Sequence, residues 1–334
     1  MVILIPRAVL LFDIDGVIRD VGGSYRRAIV ETVHHYSGWR PDPAVIDALK
    51  AEGCWNNDWE ASLELLRRYR GTGTDAAQFG DPQFGDPSTQ PAGLESTARS
   101  AGTLLPARTV ATPGATSPLF SPLPSPLPSP SPVPVPVPVP LPSLAELVEV
   151  FGGFYFGGDP DGDPSIWRGF IGSEPLLVEP SFFTELNAAG IAWGFVSGAE
   201  PPSVRYVLEQ RLGLLDPPRI AMGDAPDKPD PTGFLRLAER LLAEGGGSCL
   251  GAAAPPVAYL GDTVADVLTV ERARQVCPEQ RFLSLAVAPP HLQGREQLEA
   301  RHAYEQRLRQ AGADRILPAT VAVLANLEAL LTQA

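Results

Sequence analysis

Asp13 and Asp15 stand one residue apart at the end of the apolar run Ala8-Val9-Leu10-Leu11-Phe12, and Gly16 comes directly after them. Carboxylates at the margin of a core are costly unless paired, hydrogen-bonded or bound to a metal. Ligands of open α/β sheets gather at the carboxyl ends of the strands. A carboxylate placed like Asp13 is a competent nucleophile toward phosphorus, forming an acyl phosphate that splits one hard step into two. Asp15, two residues on, points to the same side of an extended backbone. It is placed to protonate a leaving oxygen and then to deprotonate an attacking water. Aspartates are also common in turns and caps, so the pair gains its meaning from polar residues placed later in the chain.

Three further positions come in order. The apolar run 191–196 ends in Ser197-Gly198. A hydroxyl and an open glycine amide ahead of a helix N-terminus suit phosphate oxygens, although a turn or cap serine is the plainer role. Lys228 sits in Asp227-Lys228-Pro229-Asp230-Pro231 and is one of only two lysines, the other being Lys50. The prolines stiffen this loop, so its ammonium can offset the charge of a carboxylate beside a phosphoryl group and stabilise a transition state. The run 257–260 leads through Gly261 to Asp262 and Asp266, four residues apart and hence on one face of an entering helix. Asp13, Asp262 and the main-chain carbonyl of Asp15 offer hard oxygens of the kind Mg²⁺ prefers, while substrate phosphate and water fill its remaining positions. Asp266 would orient a metal-bound water or Lys228. The metal candidates are therefore Asp13, Asp15, Asp262 and Asp266. A helix N-terminus welcomes acids on its own account, which explains one of the last two aspartates better than both.

These residues need a scaffold, and hydrophobic periodicity supplies one. Residues 8–13 read as a strand. Ile29, Val33 and Tyr36 form a helical stripe, as do Trp55, Trp59, Leu63 and Leu66. Asn57 with Glu60 resembles a capping box, and 20–70 reads as a helical module. From 71 to 142 Gly, Pro, Ser and Thr dominate, ending in the Val-Pro repeat of 133–140. Proline removes the donors that helices and ladders need, so this insertion is expected to be disordered or polyproline II. It is either a tolerated surface insertion or, over 113–142, a ligand for a proline-binding partner. Beyond it helices are expected at 144–151, 182–189 with Ser181 as N-cap, 201–212, 232–243, 264–274, 294–310 and 318–331. Strands are expected at 191–196, 219–222, 257–260, 282–287 and 315–317. Strands alternating with helices imply right-handed βαβ units and a parallel sheet.

The 334 residues carry a net charge of −13, which argues against a nucleic-acid partner or an anionic membrane surface. No apolar run approaches the roughly 20 residues of a spanning helix. The apolar start lacks the basic lead and cleavage site of a signal peptide. Cys54, Cys249 and Cys277 are odd in number and far apart, which fits reduced thiols in a cytoplasm.

The ordered set Asp13-x-Asp15-Gly16-Val17, Ser197, Lys228-Pro-Asp-Pro and Gly261-Asp262-x-x-x-Asp266 resembles the four motifs of the haloacid dehalogenase-like hydrolase superfamily. The Lys-Pro-x-Pro form and a helical insertion after the first motif resemble its phosphoglycolate-phosphatase-like branch. Residues 13–29, the stretch Gly53 to Glu60 and Gly261 to Asp266 resemble an uncharacterised subfamily found largely in cyanobacteria. The likeness spans roughly 8–70 and 144–331. It implies an α/β fold: a Rossmann-like parallel-sheet core (1–19 and 175–334), an inserted helical cap (20–70 and 143–174) and the Pro-rich insertion (71–142). It further implies Mg²⁺-dependent phosphoryl transfer through an aspartyl phosphate, with Asp13 as nucleophile, Asp15 as acid/base, Ser197 and Lys228 on the phosphate and Asp262 as a further metal ligand. Relatives that act on carbon generally lack the second aspartate, so Asp15 favours a small phosphorylated metabolite. The alternatives are a phosphomutase on the same core and a non-catalytic protein that presents its Pro-rich tract to a partner. Within Gly53 to Glu60 the tryptophans suit cap packing, whereas Asn56 and Asp58 are freer to face a substrate. Arg26, Arg27 and Arg168 are further candidates for a substrate anion.

Overall fold

The computed structural model describes residues 5–52, 55, 57–72, 140–246 and 249–332. They belong to one compact unit. Most of the Pro-rich insertion, together with Gly53, Cys54 and Asn56, lies outside the described residues.

Strand β1 (Ala8–Phe12) is buried along its whole length. Successive side chains of a strand point to opposite faces, so its apolar run divides between two cores. Ala8, Leu10 and Phe12 join one apolar cluster, and Val9 and Leu11 join another on the opposite face. Strands buried on both faces read as continuous rather than alternating apolar runs, and β1 is such a run. It pairs in parallel with β2 (Ile191–Val196) on one side and β4 (Val257–Gly261) on the other. Among the described residues the sheet has six strands, all parallel, in the order β3-β2-β1-β4-β5-β6. Here β3 is Arg219–Ile220, β5 is Phe282–Val287 and β6 is Arg315–Leu317. This is the Rossmann-like parallel sheet read from the sequence.

Among the described residues, β1 is followed by α1 (Tyr25–Ser37), α2 (Pro43–Ala51), α3 (Asp58–Thr72) and α4 (Leu144–Tyr155). They enclose a separate apolar cluster containing Ile29, Val33, Ile46, Leu49, Leu66, Leu147 and Phe151. Asn57 caps α3, its Oδ1 accepting from Trp59 N at 2.9 Å and Glu60 N at 3.2 Å. Trp55 precedes α3 and packs with Trp59 against the cluster. The two segments joining this module to the sheet pair with each other through Arg19 and Leu176. Asp20 N donates to Pro175 O and Leu177 N to Ile18 O, both at 2.8 Å.

The remaining helices are α5 (Pro180–Ala188), α6 (Pro201–Arg205), α7 (Thr232–Glu244), α8 (Val264–Val276), α9 (Leu298–Ala311) and α10 (Ala322–Thr332). Several boundaries differ from expectation. Glu179, not Ser181, is the N-cap of α5, because Pro180 takes the first helical position, which needs no amide donor. The expected helix 201–212 is α-helical only to Arg205 and continues as a π-helix over Tyr206–Arg211. The third strand stops at Ile220, where Ala221 N turns to Asp224 Oδ2 at 2.8 Å. Helix α9 begins at Leu298 after a 3-10 turn, and α10 begins at Ala322.

Candidate functional site

Parallel register brings the motifs to one edge of the sheet. Phe12 is level with Phe195 of β2 and Leu260 of β4, and Asp13 N donates to Leu260 O at 2.9 Å. Asp13, Ser197 and Asp262 therefore leave the carboxyl ends of three adjacent strands, where α/β sheets hold their ligands.

Gly16 lets the chain turn back over Asp262. It takes a φ of +75°, and a Cβ there would lie 1.9 Å from Asp262 Oδ2. Gly261 is equally confined, since its Cβ would meet that of Asp266 at 2.2 Å. Thr263 caps α8 through a reciprocal capping box with Asp266, so helix formation itself fixes Asp266.

The carboxylate oxygens of Asp13, Asp262 and Asp266 lie within 4.8 Å of one another, and all three residues are buried. Lys228 Nζ stands 2.6 Å from Asp266 Oδ1 and 3.1 Å from Asp13 Oδ1. Tyr259 OH completes the cluster. It donates to Val196 O at 2.6 Å and lies 3.1 Å from Asp266 Oδ1, while Lys228 donates to it at 3.2 Å. One ammonium thus pairs with two of the three carboxylates.

The charges respond as continuum reasoning requires. Burial pushes Asp13 up to about 7, with Lys228 opposing and Asp266 and Asp15 adding. Asp262 is raised well above the aspartate range by burial, reinforced by Asp13 and Asp266. Burial would raise Asp266 too, but Lys228 and the hydrogen bonds from Lys228 and Thr263 win and hold it low. Burial by itself lowers Lys228, yet Asp13 and Asp266 outweigh it and keep the ammonium charged.

The donor set suits a divalent cation. Asp13 Oδ1 is buried and, apart from the Lys228 ammonium at 3.1 Å, has no polar partner among the described residues. Negative charge exceeds positive in the group, and hard carboxylate oxygens match Mg²⁺. Asp13 and Asp262 are the side chains able to hold it. Asp266 stands in the same group, but Thr263, Tyr259 and Lys228 already engage both its oxygens. It orients Lys228, one of the two roles read for it. The carboxylate of Asp15 is not one of the three; its side chain turns to Arg19, Nε to Oδ1 at 2.7 Å.

Ser197 is buried, and its Oγ accepts from Ala199 N at 3.2 Å. Gly198 is exposed, with open space where a Cβ would stand. Asp58 pairs with Lys50 at 2.5 Å. Glu200, at the start of α6, is raised to about 7 by burial, with Arg19 opposing and Asp58 and Asp15 adding. Asp58 thus acts electrostatically on the segment just after Ser197-Gly198. Arg27 lies over the Phe170 ring at 4.1 Å, and Arg168 binds the carbonyls of Ser165 and Trp167. Both serve the helical module itself. Arg26 pairs with Asp47 and reaches His291 Nε2 at 3.3 Å.

Sequence reasoning missed Arg19, Glu174 and Tyr259. The signal for Arg19 was present as a charge directly after the apolar pair Val17-Ile18, four residues from Asp15. Nothing local marked Glu174.

Residues 178–274 match the family model for haloacid dehalogenase-like hydrolases, a span containing Ser197, Lys228, Asp262 and Asp266. A hydrolase from Pseudomonas syringae superposes with a TM-score of 0.52 at 13% identity, covering 97% of this chain and 99% of that one. A phosphonoacetaldehyde hydrolase-like protein from Oleispira antarctica gives 0.53 at 13% identity, covering 98% and 94%. These two likenesses show the fold. An imidazoleglycerol-phosphate dehydratase from Phytophthora nicotianae is 41% identical over 61 residues, 18% of this chain. The match spans 13% of the length of that curated relative. No helix among the described residues is long and apolar enough to cross a membrane.

Proposed function

We propose that this chain, a haloacid dehalogenase-like protein in fold and motif, is a Mg²⁺-dependent phosphatase that hydrolyses a small phosphorylated metabolite. The observation that carries the reading is the buried group Asp13, Asp262 and Asp266 around Lys228, at the carboxyl edge of the parallel sheet. Asp13 attacks phosphorus and becomes an aspartyl phosphate. Asp15 gives a proton to the leaving oxygen, then takes one from the water that cleaves the acyl phosphate. Lys228 and Ser197-Gly198 hold phosphoryl oxygens. Asp13, Asp262 and the main-chain carbonyl of Asp15 would hold Mg²⁺, which when bound supplies charge neutralisation at the phosphoryl group.

The helical module, 20–70 with 143–174, would act as a cap over a core of 1–19 and 175–334, its separate apolar cluster supporting this division. Asp58 would face the substrate from the cap. Asn56, in the same stretch, lies outside the described residues. The unpaired thiols of Cys249 and Cys277 support a reducing, cytoplasmic setting.

The test is turnover of an aryl phosphate with Mg²⁺ and with EDTA, where equal rates would sink the proposal. A panel of phosphate esters then ranks substrates. It includes imidazoleglycerol phosphate, because part of the chain resembles part of a protein named for that compound. Hydrolysis in oxygen-18 water puts label into the released phosphate, whereas a mutase puts in little.

A further inference from the structure

An acid/base carboxylate must be held still, and the group that holds Asp15 is Arg19. The Arg19 side chain is fully buried, an unusual place for a guanidinium. Its Nε donates to Asp15 Oδ1 at 2.7 Å, Nη1 to Glu174 Oε2 at 2.8 Å and Nη2 to Ser203 Oγ at 2.7 Å. Three corners of one planar fork thus reach three segments: the loop after β1, the return from the helical module, and α6 beyond Ser197.

Each partner is itself held. Glu174 Oε1 accepts from Ser24 Oγ at 2.5 Å and from Tyr155 OH at 3.1 Å. Tyr155 OH also meets Ser203 Oγ at 3.1 Å. The backbone of Arg19 pairs with Leu176. The guanidinium therefore has little freedom to turn.

Glu174 alone is enough to balance the charge of Arg19, and its side chain is 1% exposed. Asp15 is different, at 27% exposed, with only Oδ1 engaged among the described residues. One oxygen is anchored and the other is left for chemistry. A lysine offers a point charge and could not span all three partners, whereas the arginine fork does so in fixed geometry.

We propose that Arg19 is a positioning residue for Asp15, clamping one carboxylate oxygen so that the other delivers its proton to the leaving group. This rests on the phosphatase reading above. In the step concerned, an Asp13 oxygen forms its bond to phosphorus as the ester P–O bond breaks. The departing alkoxide takes the proton carried by Asp15.

Leaving groups separate this role from a merely structural one. An alkoxide needs the proton, whereas nitrophenolate leaves without it. The ratio of kcat/KM for glycerol phosphate to that for nitrophenyl phosphate therefore reports how well Asp15 is placed. In Arg19→Lys that ratio is expected to fall at least roughly tenfold, out of the roughly 10²–10⁴ that a positioned acid contributes. Should Arg19→Lys fail to fold, Ser203→Ala removes one anchor of the fork. It is expected to lower the same ratio roughly threefold, a smaller share of that contribution. A ratio unchanged in the folded variant, with both esters slowed alike or neither slowed, overturns the role of Arg19 alone. A wild-type protein that turns over neither ester with Mg²⁺ overturns the phosphatase reading, and this role with it.

Discussion

Lys228 Nζ lies 3.1 Å from Asp13 Oδ1, although the two residues are 215 positions apart in the chain. The same ammonium is tied to Asp266 at 2.6 Å, so Asp266 aims Lys228 and Lys228 faces Asp13. The ammonium balances buried acids in the folded chain, and under the proposed phosphatase function it would also meet phosphoryl charge during turnover.

Lys228→Met tests both tasks. Removing one partner of a buried ion pair costs about 3–5 kcal/mol, so denaturant unfolding should show a loss of that order. Turnover is expected to drop with it. Added Mg²⁺ should restore part of the stability, because a second cation reaches the same carboxylates. A variant as stable as the wild type without metal would contradict the charge balance described.

Asp13→Asn keeps nearly the same shape and removes the proposed nucleophile. Turnover of any phosphate ester is expected to fall by at least roughly 10³-fold, as when a nucleophile is removed from an enzyme that depends on it. The circular dichroism spectrum should be unchanged. Full activity in this variant would remove Asp13 from the chemistry.

The acids of the site make stability depend on pH, with a definite sign. Burial raises Asp13 to about 7, above the ordinary aspartate value of about 3.9. A carboxyl that holds its proton more tightly in the folded state stabilises the fold below its unfolded pKa. That contribution is lost as pH rises through the folded value. Without metal, Asp13→Asn should therefore gain in melting temperature over the wild type as pH climbs from about 4 through about 7. Mg²⁺ binding requires the deprotonated carboxylates, so the Mg²⁺-induced rise in wild-type melting temperature should be larger at about pH 8 than at about pH 5.5. Thermal scans at the two pH values, with and without Mg²⁺, decide both points.

Gly16→Ala should damage the site from the backbone. Its φ of +75° is in the left-handed region, and its Cβ would lie 1.9 Å from Asp262 Oδ2. The conformation alone costs about 1–2 kcal/mol for a residue with a Cβ, and Asp262 must move in addition. The expected result is a lower melting temperature together with a smaller response to Mg²⁺. An unchanged Mg²⁺ response would mean that Asp262 is not held where the structure puts it.

Much of this was legible in the chain. The apolar run of β1, the serine after β2 and the aspartates after β4 are each local signals, because strand ends and turns are set by near neighbours. The parallel arrangement was implied by strands alternating with helices. The capping of α3 by Asn57 was readable for the same reason. Where the reading missed, longer contacts decided. The segment 201–212 has helical periodicity throughout, yet it widens to a π-helix at Tyr206, where Tyr206 packs on Trp167 of the helical module at 5.3 Å.

The sequence by itself determined which residue types stand at which strand ends, since period-2 burial and turn chemistry act over a few positions. Only the tertiary structure decided that Asp266 pairs with Lys228 while Asp13 and Asp262 share a buried acidic group with it, and that Arg19 holds Asp15 with a Glu174 partner 155 residues away. Those choices depend on sheet order and on the pairing of the two segments that join the helical module to the core, which no local pattern encodes.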